Sequence, residues 1–424
     1  MKIISAIFVK NISFMKKSHF LPILISLSFI CCNNTAKPRV SVNKKNTEII
    51  TDSIILPGIY QTDEYLDLLL DKKIAIVSNQ TGLVNDVHLA DTLISLGLNI
   101  VKVFCPEHGF RGTADAGAKV DNSIDDKTGL PIISLYGNNK KPLPKQMQDF
   151  DICIFDLQDV GVRFYTYIST LHYVMEACAE ENIPLIILDR PNPNAHYIDG
   201  CVLDTANYRS FIGMHPVPVV YGMTIGEYGK MINGENWLNN GIKCELIVIP
   251  CKNYNHNSKY SLPVKPSPNL PNDRSVELYP SLCFFEATNL SLGRGTNKQF
   301  QIIGHPLLKN IEQASFEFTP MPNEGATNPV LNGEKCFGFD LSESESIFDI
   351  KENQLNLDLL IKTYDLFPEK DEFFKKSNSL ELLSGSAEFR KQIENGLSET
   401  QIRETWKIGL ENFKTIRSKY LIYE

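Results

Sequence analysis

Glu107 and His108 are the residues of this sequence whose types and position best suit acid–base chemistry. They follow the apolar run Asn99–Cys105 and stand in a turn with Pro106 and Gly109. A carboxyl group and an imidazole that leave a buried strand together can act as a general acid and its partner. The alternative is structural, with the glutamate capping the next element and the histidine hydrogen-bonded within the fold.

Three further apolar runs end in polar residues. Lys73–Ser78 is followed by Asn79, Asp151–Phe155 by Asp156 and Asp159, and Pro184–Leu188 by Asp189 and Arg190. Helical patterns at Val87–Leu96 and Thr166–Glu181 alternate with the runs, which indicates parallel strands covered on both faces. Because the carboxyl ends of parallel strands meet at one edge of a sheet, the sequence predicts a carboxylate-rich cleft there. Caps and turns are the alternative roles for these acids.

This order of elements predicts an α/β protein. We expect a Rossmann-like doubly wound parallel sheet over residues 54–265, followed by a smaller mixed α+β domain over residues 266–424. The boundary lies in a segment with four prolines, at 263, 266, 268 and 271, which suits neither a helix nor a central strand. Beyond it we predict strands at Leu282–Glu286, Phe316–Phe318 and Cys336–Leu341, and a last helix at about Ser398–Ile416.

The sequence predicts no cofactor and no metal. Gly293 and Gly295 are the first two glycines of a GxGxxG pattern, but Lys298 stands at the third position, and no Walker sequence is present. No CxxC pair or His/Cys cluster indicates zinc. Cys244 and Cys251 flank a strand and are candidates for a disulfide, although sequence alone does not decide the pairing.

The first 31 residues are typical of a lipoprotein signal. Two lysines at 16 and 17 precede the apolar run Phe20–Ile30, which is shorter than the roughly 20 residues of a membrane span, and Cys31 and Cys32 follow. We predict lipidation at one of these cysteines, a tether over residues 32–53, and a periplasmic or outer-membrane-anchored location. Plain secretion is the alternative. The formal charge of −8 argues against nucleic acid as a partner.

Several longer motifs resemble one family, the NamZ-type exo-β-N-acetylmuramidases of peptidoglycan recycling. The resemblance extends from about Ile54 to the end of the chain. The matching motifs are SNQTG at Ser78, PEHGFRG at Pro106, TGLPIISLYG at Thr128, DLQDVGVRFYTY at Asp156, LDRPNP at Leu188, YGMTIGE at Tyr221, PSPNLP at Pro266 and CFFEATNLSLGRGT at Cys283.

The resemblance implies an enzyme that releases N-acetylmuramic acid from the non-reducing ends of peptidoglycan fragments, such as muropeptides or the disaccharide MurNAc-GlcNAc. Glycoside hydrolysis needs a carboxylic acid and a second carboxylate. We assign Glu107 as the acid, oriented by His108, and Asp156 as the second carboxylate. Asp159 and Glu286 are its competitors.

An arginine is the expected partner of the lactyl carboxylate of muramic acid. Arg294 is favoured because glycines flank it, and Tyr165 and Tyr167 are candidates to stack on sugar rings. The full set of predicted binding residues is Asn79, Arg163, Tyr165, Asp189, Arg190, Glu286, Asn289 and Arg294.

Two other classes of function fit the same residues. One is a carbohydrate-binding lipoprotein without turnover. The other is a metal-dependent hydrolase that uses His108, Asp156 and Asp189.

Overall fold

A seven-stranded sheet organises the amino-terminal part of the protein. The computed structural model describes residues 54–107, 109–111, 122–343 and 348–424, and residues 55–424 form one compact unit. The strands of this part, numbered along the chain, are β1 (Lys73–Ser78), β2 (Leu83–Val84), β3 (Val87–His88), β4 (Asn99–Cys105), β5 (Ser123–Ile124), β6 (Pro131–Ser134), β7 (Ile152–Asp156), β8 (Leu185–Leu188) and β9 (Leu246–Ile249).

The strand order in the sheet is β5-β6-β4-β1-β7-β8-β9. All neighbouring pairs are parallel except β5 and β6. From β1 the chain first builds outward through β4 and β6, and then in the other direction through β7, β8 and β9. This is the predicted doubly wound arrangement, in which the direction of growth of the sheet reverses between β1 and β7. The last registered pair there is Ser78 and Asp156.

Burial on both faces explains the apolar runs of the central strands. Every residue of β7 and β8 is buried, and only Lys73 of β1 is exposed. The helices of this part are Thr62–Leu69, Leu89–Ser95, Tyr167–Glu180, Thr205–Tyr208 and Ile225–Gly234. The helix predicted at Val87–Leu96 is shorter than expected, because Val87 and His88 pair with β2 instead. His88 then caps the helix by accepting a hydrogen bond from the Ala90 N–H.

A smaller antiparallel sheet belongs to the carboxyl-terminal part. Its strands are β10 (Ile302–His305), β11 (Phe316–Phe318) and β12 (Cys336–Asp340), with β12 in the centre. The helices around it are Asp273–Leu282, Leu357–Leu366, Ser379–Ser384, Glu388–Glu394 and Glu399–Arg417. The structure thus confirms the predicted mixed second part and both of its later strands.

The prediction of a strand at Leu282–Glu286 is wrong. Asn272 and Ser275 form a capping box that starts the helix Asp273–Leu282, and the chain continues into a 3₁₀ turn at Cys283–Ala287. A short fully apolar run has the same pattern in a buried strand and a buried helix, so the upstream cap decided the outcome.

One hydrophobic core joins the two parts. It includes Val77 and Phe155 of the large sheet together with Leu357 and Trp406 of the carboxyl-terminal helices. The exact boundary between domains therefore stays a prediction. All eight cysteines in the described part of the chain are free thiols, so Cys244 and Cys251 are not paired there. No helix of the described ranges is long and apolar enough to cross a bilayer.

Candidate active site

A cleft of about 630 Å³ brings five of the predicted site residues together, namely Glu107, Tyr165, Tyr167, Glu286 and Arg294. Glu107 enters it two residues after β4, and Tyr165 lies just before the helix Tyr167–Glu180. Glu286 and Arg294 reach the same cleft from the carboxyl-terminal part. Both parts of the chain are therefore needed to form it.

Tyr136 is the neighbour of Glu107 in this cleft. It follows β6 and lines the same cleft as Glu107. Burial raises the pKa of Tyr136, and the charge of Glu107 raises it further. The Tyr136 phenol therefore keeps its proton at neutral pH.

Glu286 and Arg294 face the cleft as an ion pair. Nη2 of Arg294 lies 2.6 Å from Oε1 of Glu286, and the guanidinium lies 5.0 Å from the ring centre of Phe300. Burial opposes the charge of Arg294, but Glu286 more than compensates and raises the pKa of the guanidinium. Arg294 is thus held as a cation at the wall of the cleft.

The glycines beside Arg294 serve the chain rather than a ligand. Gly293 and Gly295 have φ angles of 76° and 78°, which favour glycine. A Cβ at Gly293 would lie 2.5 Å from the carbonyl oxygen of Lys298, and one at Gly295 would lie 2.5 Å from that of Met321. They allow the tight turn that presents Arg294. The flanking glycines are therefore not a sign of a ligand contact, although Arg294 does line the cleft.

A side cavity of about 230 Å³ adjoins the cleft and shares Glu286, Arg294 and Val330 with it. Lys375 lines the far side and donates a hydrogen bond of 2.7 Å to the backbone carbonyl of Glu286. The rest of the lining is mostly apolar and consists of Phe285, Leu290, Ser291 and Leu292. Two cations and an apolar wall give this cavity the character of a site for a small carboxylate with an aliphatic group.

Asn79 supports the cleft from behind. It is fully buried, and its Nδ2 donates a hydrogen bond of 2.7 Å to the hydroxyl of Tyr167, which lines the cleft. Tyr165 also lines it, and its hydroxyl donates to the carbonyl of Pro266 at 2.9 Å. The predicted contact of Asn79 with substrate is therefore indirect.

Asp156 is bound by Arg190 and does not line the cleft. The guanidinium donates to both carboxylate oxygens, at 2.6 and 3.0 Å, and both side chains are buried. Arg190 comes from the end of β8, the strand that adjoins β7, so a cation from the next strand neutralises the acid. The structure does not support Asp156 as the second carboxylate or Arg190 as a substrate clamp.

Two further acids are held inside the fold. Asp159 accepts hydrogen bonds from the Tyr221 hydroxyl and the Gly161 N–H. Asp189 accepts from Thr224, from the Gly226 N–H and from Tyr423. Burial raises the pKa of each to about 6 although these hydrogen bonds oppose the shift. Neither lines the cleft, so their role here is structural.

The remaining predicted residues lie elsewhere or outside the described ranges. Arg163 is fully buried and donates to four backbone carbonyl oxygens, so it joins distant segments of the chain instead of meeting a ligand. Asn289 donates to the carbonyl of Glu372 and does not line the cleft. His108, Cys31 and Cys32 lie outside the described residues.

Two family models match almost the whole described chain. Residues 74–274 match the amino-terminal model of exo-β-N-acetylmuramidase NamZ, and residues 277–423 match the carboxyl-terminal model. The chain belongs to the NamZ family. Among its relatives is the peptidoglycan β-N-acetylmuramidase NamZ of Bacillus subtilis (strain 168), with 36% identity over 383 residues, which cover 85% of this chain and 89% of that protein.

Solved structures of the NamZ family's fold are also similar. Two DUF1343 family proteins of Bacteroides fragilis NCTC 9343 superpose with TM-scores of 0.79 and 0.75. They share 45% and 27% sequence identity with this chain, and the matches cover 88% and 87% of it and 99% of each of those chains.

Some residues of this NamZ-family cleft were missed from sequence. Tyr136 follows β6 as Glu107 follows β4, so the same rule about strand ends would have found it. Lys375, Tyr279 and Phe300 come from the carboxyl-terminal part, where no strand-end pattern points to the cleft. Within the described ranges, no group of three or more His, Cys, Asp or Glu side chains is arranged to hold a metal ion.

Proposed function

We propose that this protein is an exo-β-N-acetylmuramidase that hydrolyses terminal non-reducing N-acetylmuramic acid from peptidoglycan fragments. Membership of the NamZ family supports the activity. The observation that carries the proposal for the site is that Glu107 and Glu286 line one cleft together with Arg294. Two carboxylates and a cation are what hydrolysis of an acidic sugar requires.

Glu107 is the general acid in this proposal. In its protonated form Glu107 gives its proton to the oxygen of the leaving sugar, and Tyr136 lines the cleft beside it. Glu286 is the second carboxylate, and it either takes the proton of the water that attacks the anomeric carbon or attacks that carbon itself. It takes the place first given to Asp156, because Asp156 is bound by Arg190 outside the cleft.

The side cavity is the site for the lactyl group. That group carries one methyl and one carboxylate, and the cavity offers an apolar wall together with Arg294 and Lys375. Arg294 uses one N–H group on Glu286 and retains others that can bind a second carboxylate. Selection for muramic acid over glucosamine follows from this arrangement.

A direct assay tests the activity. Purified protein is incubated with MurNAc-GlcNAc and with a chromogenic β-N-acetylmuramide, and free N-acetylmuramic acid is measured. Release of the sugar supports the proposal, whereas binding without release over hours leaves the carbohydrate-binding alternative. Activity that persists after chelator treatment removes the metal-dependent alternative.

We also propose that the protein is an envelope lipoprotein. The support is the sequence alone, in which lysines precede the apolar run Phe20–Ile30 and Cys31 and Cys32 follow it. One of the two cysteines becomes the lipid-modified first residue of the mature chain, and residues up to 53 tether the enzyme to a periplasmic or outer membrane face.

Mass spectrometry of the membrane fraction tests this anchor. We expect a mature chain that begins at a diacylated Cys31 or Cys32, and loss of the lipid when that cysteine alone is changed to serine. An unlipidated mature chain that begins elsewhere would contradict the proposal.

A further inference from the structure

The hydrogen bonds around Asn79 have one possible direction. Its Oδ1 accepts from the Thr81 N–H at 3.0 Å and from the Thr81 hydroxyl at 2.6 Å. A backbone N–H can only donate, so the amide of Asn79 cannot be turned the other way. Its Nδ2 must then face Tyr167 and donate, and the Tyr167 oxygen is the acceptor of that bond at 2.7 Å.

Tyr165 and Tyr167 are neighbours in the cleft, and their hydroxyl groups consequently differ in their hydrogen bonds. Their rings are 4.8 Å apart, and the Tyr165 proton is donated to the carbonyl of Pro266. The Tyr167 hydroxyl oxygen accepts from Asn79, and its proton is donated to no backbone carbonyl of the described residues. Burial raises the pKa of Tyr167, so the hydroxyl remains a donor at neutral pH.

The surroundings of this donor are aromatic. Tyr279 packs edge-on against Phe164 at 5.6 Å and against Phe300 at 5.1 Å, and all three line the same cleft as Tyr167. The Tyr167 hydroxyl can donate to a strong acceptor oxygen of a ligand, and the aromatic wall beside it can pack against a methyl group. The pair therefore fits a ligand group that carries both. Within an N-acetylated sugar, the acetamido group has this combination.

We infer that Tyr167 and this aromatic wall form the subsite for the acetamido group of the substrate. The Tyr167 hydroxyl donates to the amide carbonyl oxygen, and the methyl group packs on the aromatic rings. This inference rests on the proposed function, because it takes the substrate to be an N-acetylated muramic acid.

Paired variants test the subsite. Tyr167→Phe and Tyr165→Phe each remove one hydroxyl from the same cleft, and kcat/KM is measured on an aryl β-N-acetylmuramide and on its analogue with a 2-hydroxyl in place of the acetamido group. We expect Tyr167→Phe to lose about 5- to 50-fold on the N-acetylated substrate and less than about twofold on the analogue. Tyr165→Phe should change kcat/KM for both substrates by the same factor.

Asn79→Asp gives a second test. A carboxylate at this position accepts from Tyr167, so the hydroxyl proton turns away from the cleft. We expect a loss selective for the N-acetylated substrate, and the double variant Asn79→Asp/Tyr167→Phe should lose no more than the larger single loss. If Asn79→Asp does not fold, the tyrosine pair decides alone.

The outcomes separate this inference from the proposed function. An active wild type whose Tyr167→Phe variant loses equally on both substrates would overturn the subsite and leave the muramidase standing. A wild type that cleaves neither substrate would overturn the muramidase and the subsite together.

Discussion

Glu286 and Arg294 meet where the main cleft adjoins the side cavity, with Oε1 and Nη2 2.6 Å apart. One guanidinium is therefore in contact with the proposed second carboxylate and with the proposed lactyl site. A substrate carboxylate that binds Arg294 changes the surroundings of Glu286 directly. Substrate selection and hydrolysis are linked through this pair.

Arg294→Ala should reduce kcat/KM for the muramide far more than kcat/KM for the matching glucosaminide. The glucosaminide lacks the carboxylate, so only the muramide loses a charge-assisted hydrogen bond, worth about 1.5–3 kcal/mol or roughly 10- to 150-fold in kcat/KM. Arg274→Ala is a matched control, because Arg274 is paired with Glu277 at similar exposure and lies outside the cleft. Equal losses on both substrates would assign Arg294 to structure.

Asp156→Asn should act on stability and not on the chemistry. It leaves Arg190 buried beside a neutral partner, and breaking a buried ion pair costs about 3–5 kcal/mol of unfolding free energy. Urea denaturation measures this, with Glu404→Gln at the exposed pair with Lys407 as a control that should change little. A variant of unchanged stability with turnover reduced 100-fold or more would restore Asp156 as a catalytic candidate.

The buried pair His172 and His215 should make the fold sensitive to acid. Nδ1 of His172 lies 2.9 Å from Nε2 of His215, and burial lowers the pKa of His172 from 6.5 to about 4. Burial also lowers the pKa of His215. The unfolded chain then takes up protons that the folded chain does not, so stability is complete above pH 6.5 and falls as the pH drops toward 4.

Unfolding free energies measured between pH 7 and pH 4 test this pair. His172→Gln should flatten the decline by up to about 3 kcal/mol. His196→Gln is the control, because that imidazole is bound to the carbonyl of Glu352 away from the pair. An unchanged slope in His172→Gln would contradict the assignment.

The sheet could be predicted from sequence because its strands are buried on both faces. Lys73–Ser78 and Asn99–Cys105 are strands with the predicted bounds, since short apolar runs that alternate with helical patterns are typical of the central strands of a parallel sheet. The run at Leu282–Glu286 is also short and mostly apolar, but the capped helix Asp273–Leu282 ends in it and a 3₁₀ turn follows, so the prediction of a strand failed there.

The candidate site was harder to predict than the sheet. A polar residue after a strand can face the cleft or pack against the neighbouring strand, and the sequence does not distinguish these cases. Glu107 faces the cleft, whereas Asp156 meets Arg190 from the adjacent strand end. The side cavity depends on Lys375, which lies 268 residues after Glu107 in the chain, and only the tertiary fold brings such residues together.

The central claim is that Glu107 is the general acid of a muramidase, and turnover of MurNAc-GlcNAc by Glu107→Gln tests it most directly. Glutamine keeps the size of the side chain and its capacity for hydrogen bonds but cannot supply the proton that the leaving sugar needs. We predict a fall in kcat of about 10²- to 10⁴-fold with an unchanged melting temperature, and a smaller fall on an aryl muramide, whose phenol needs less protonation. A well-folded Glu107→Gln protein that cleaves the disaccharide at nearly the wild-type rate would contradict the claim.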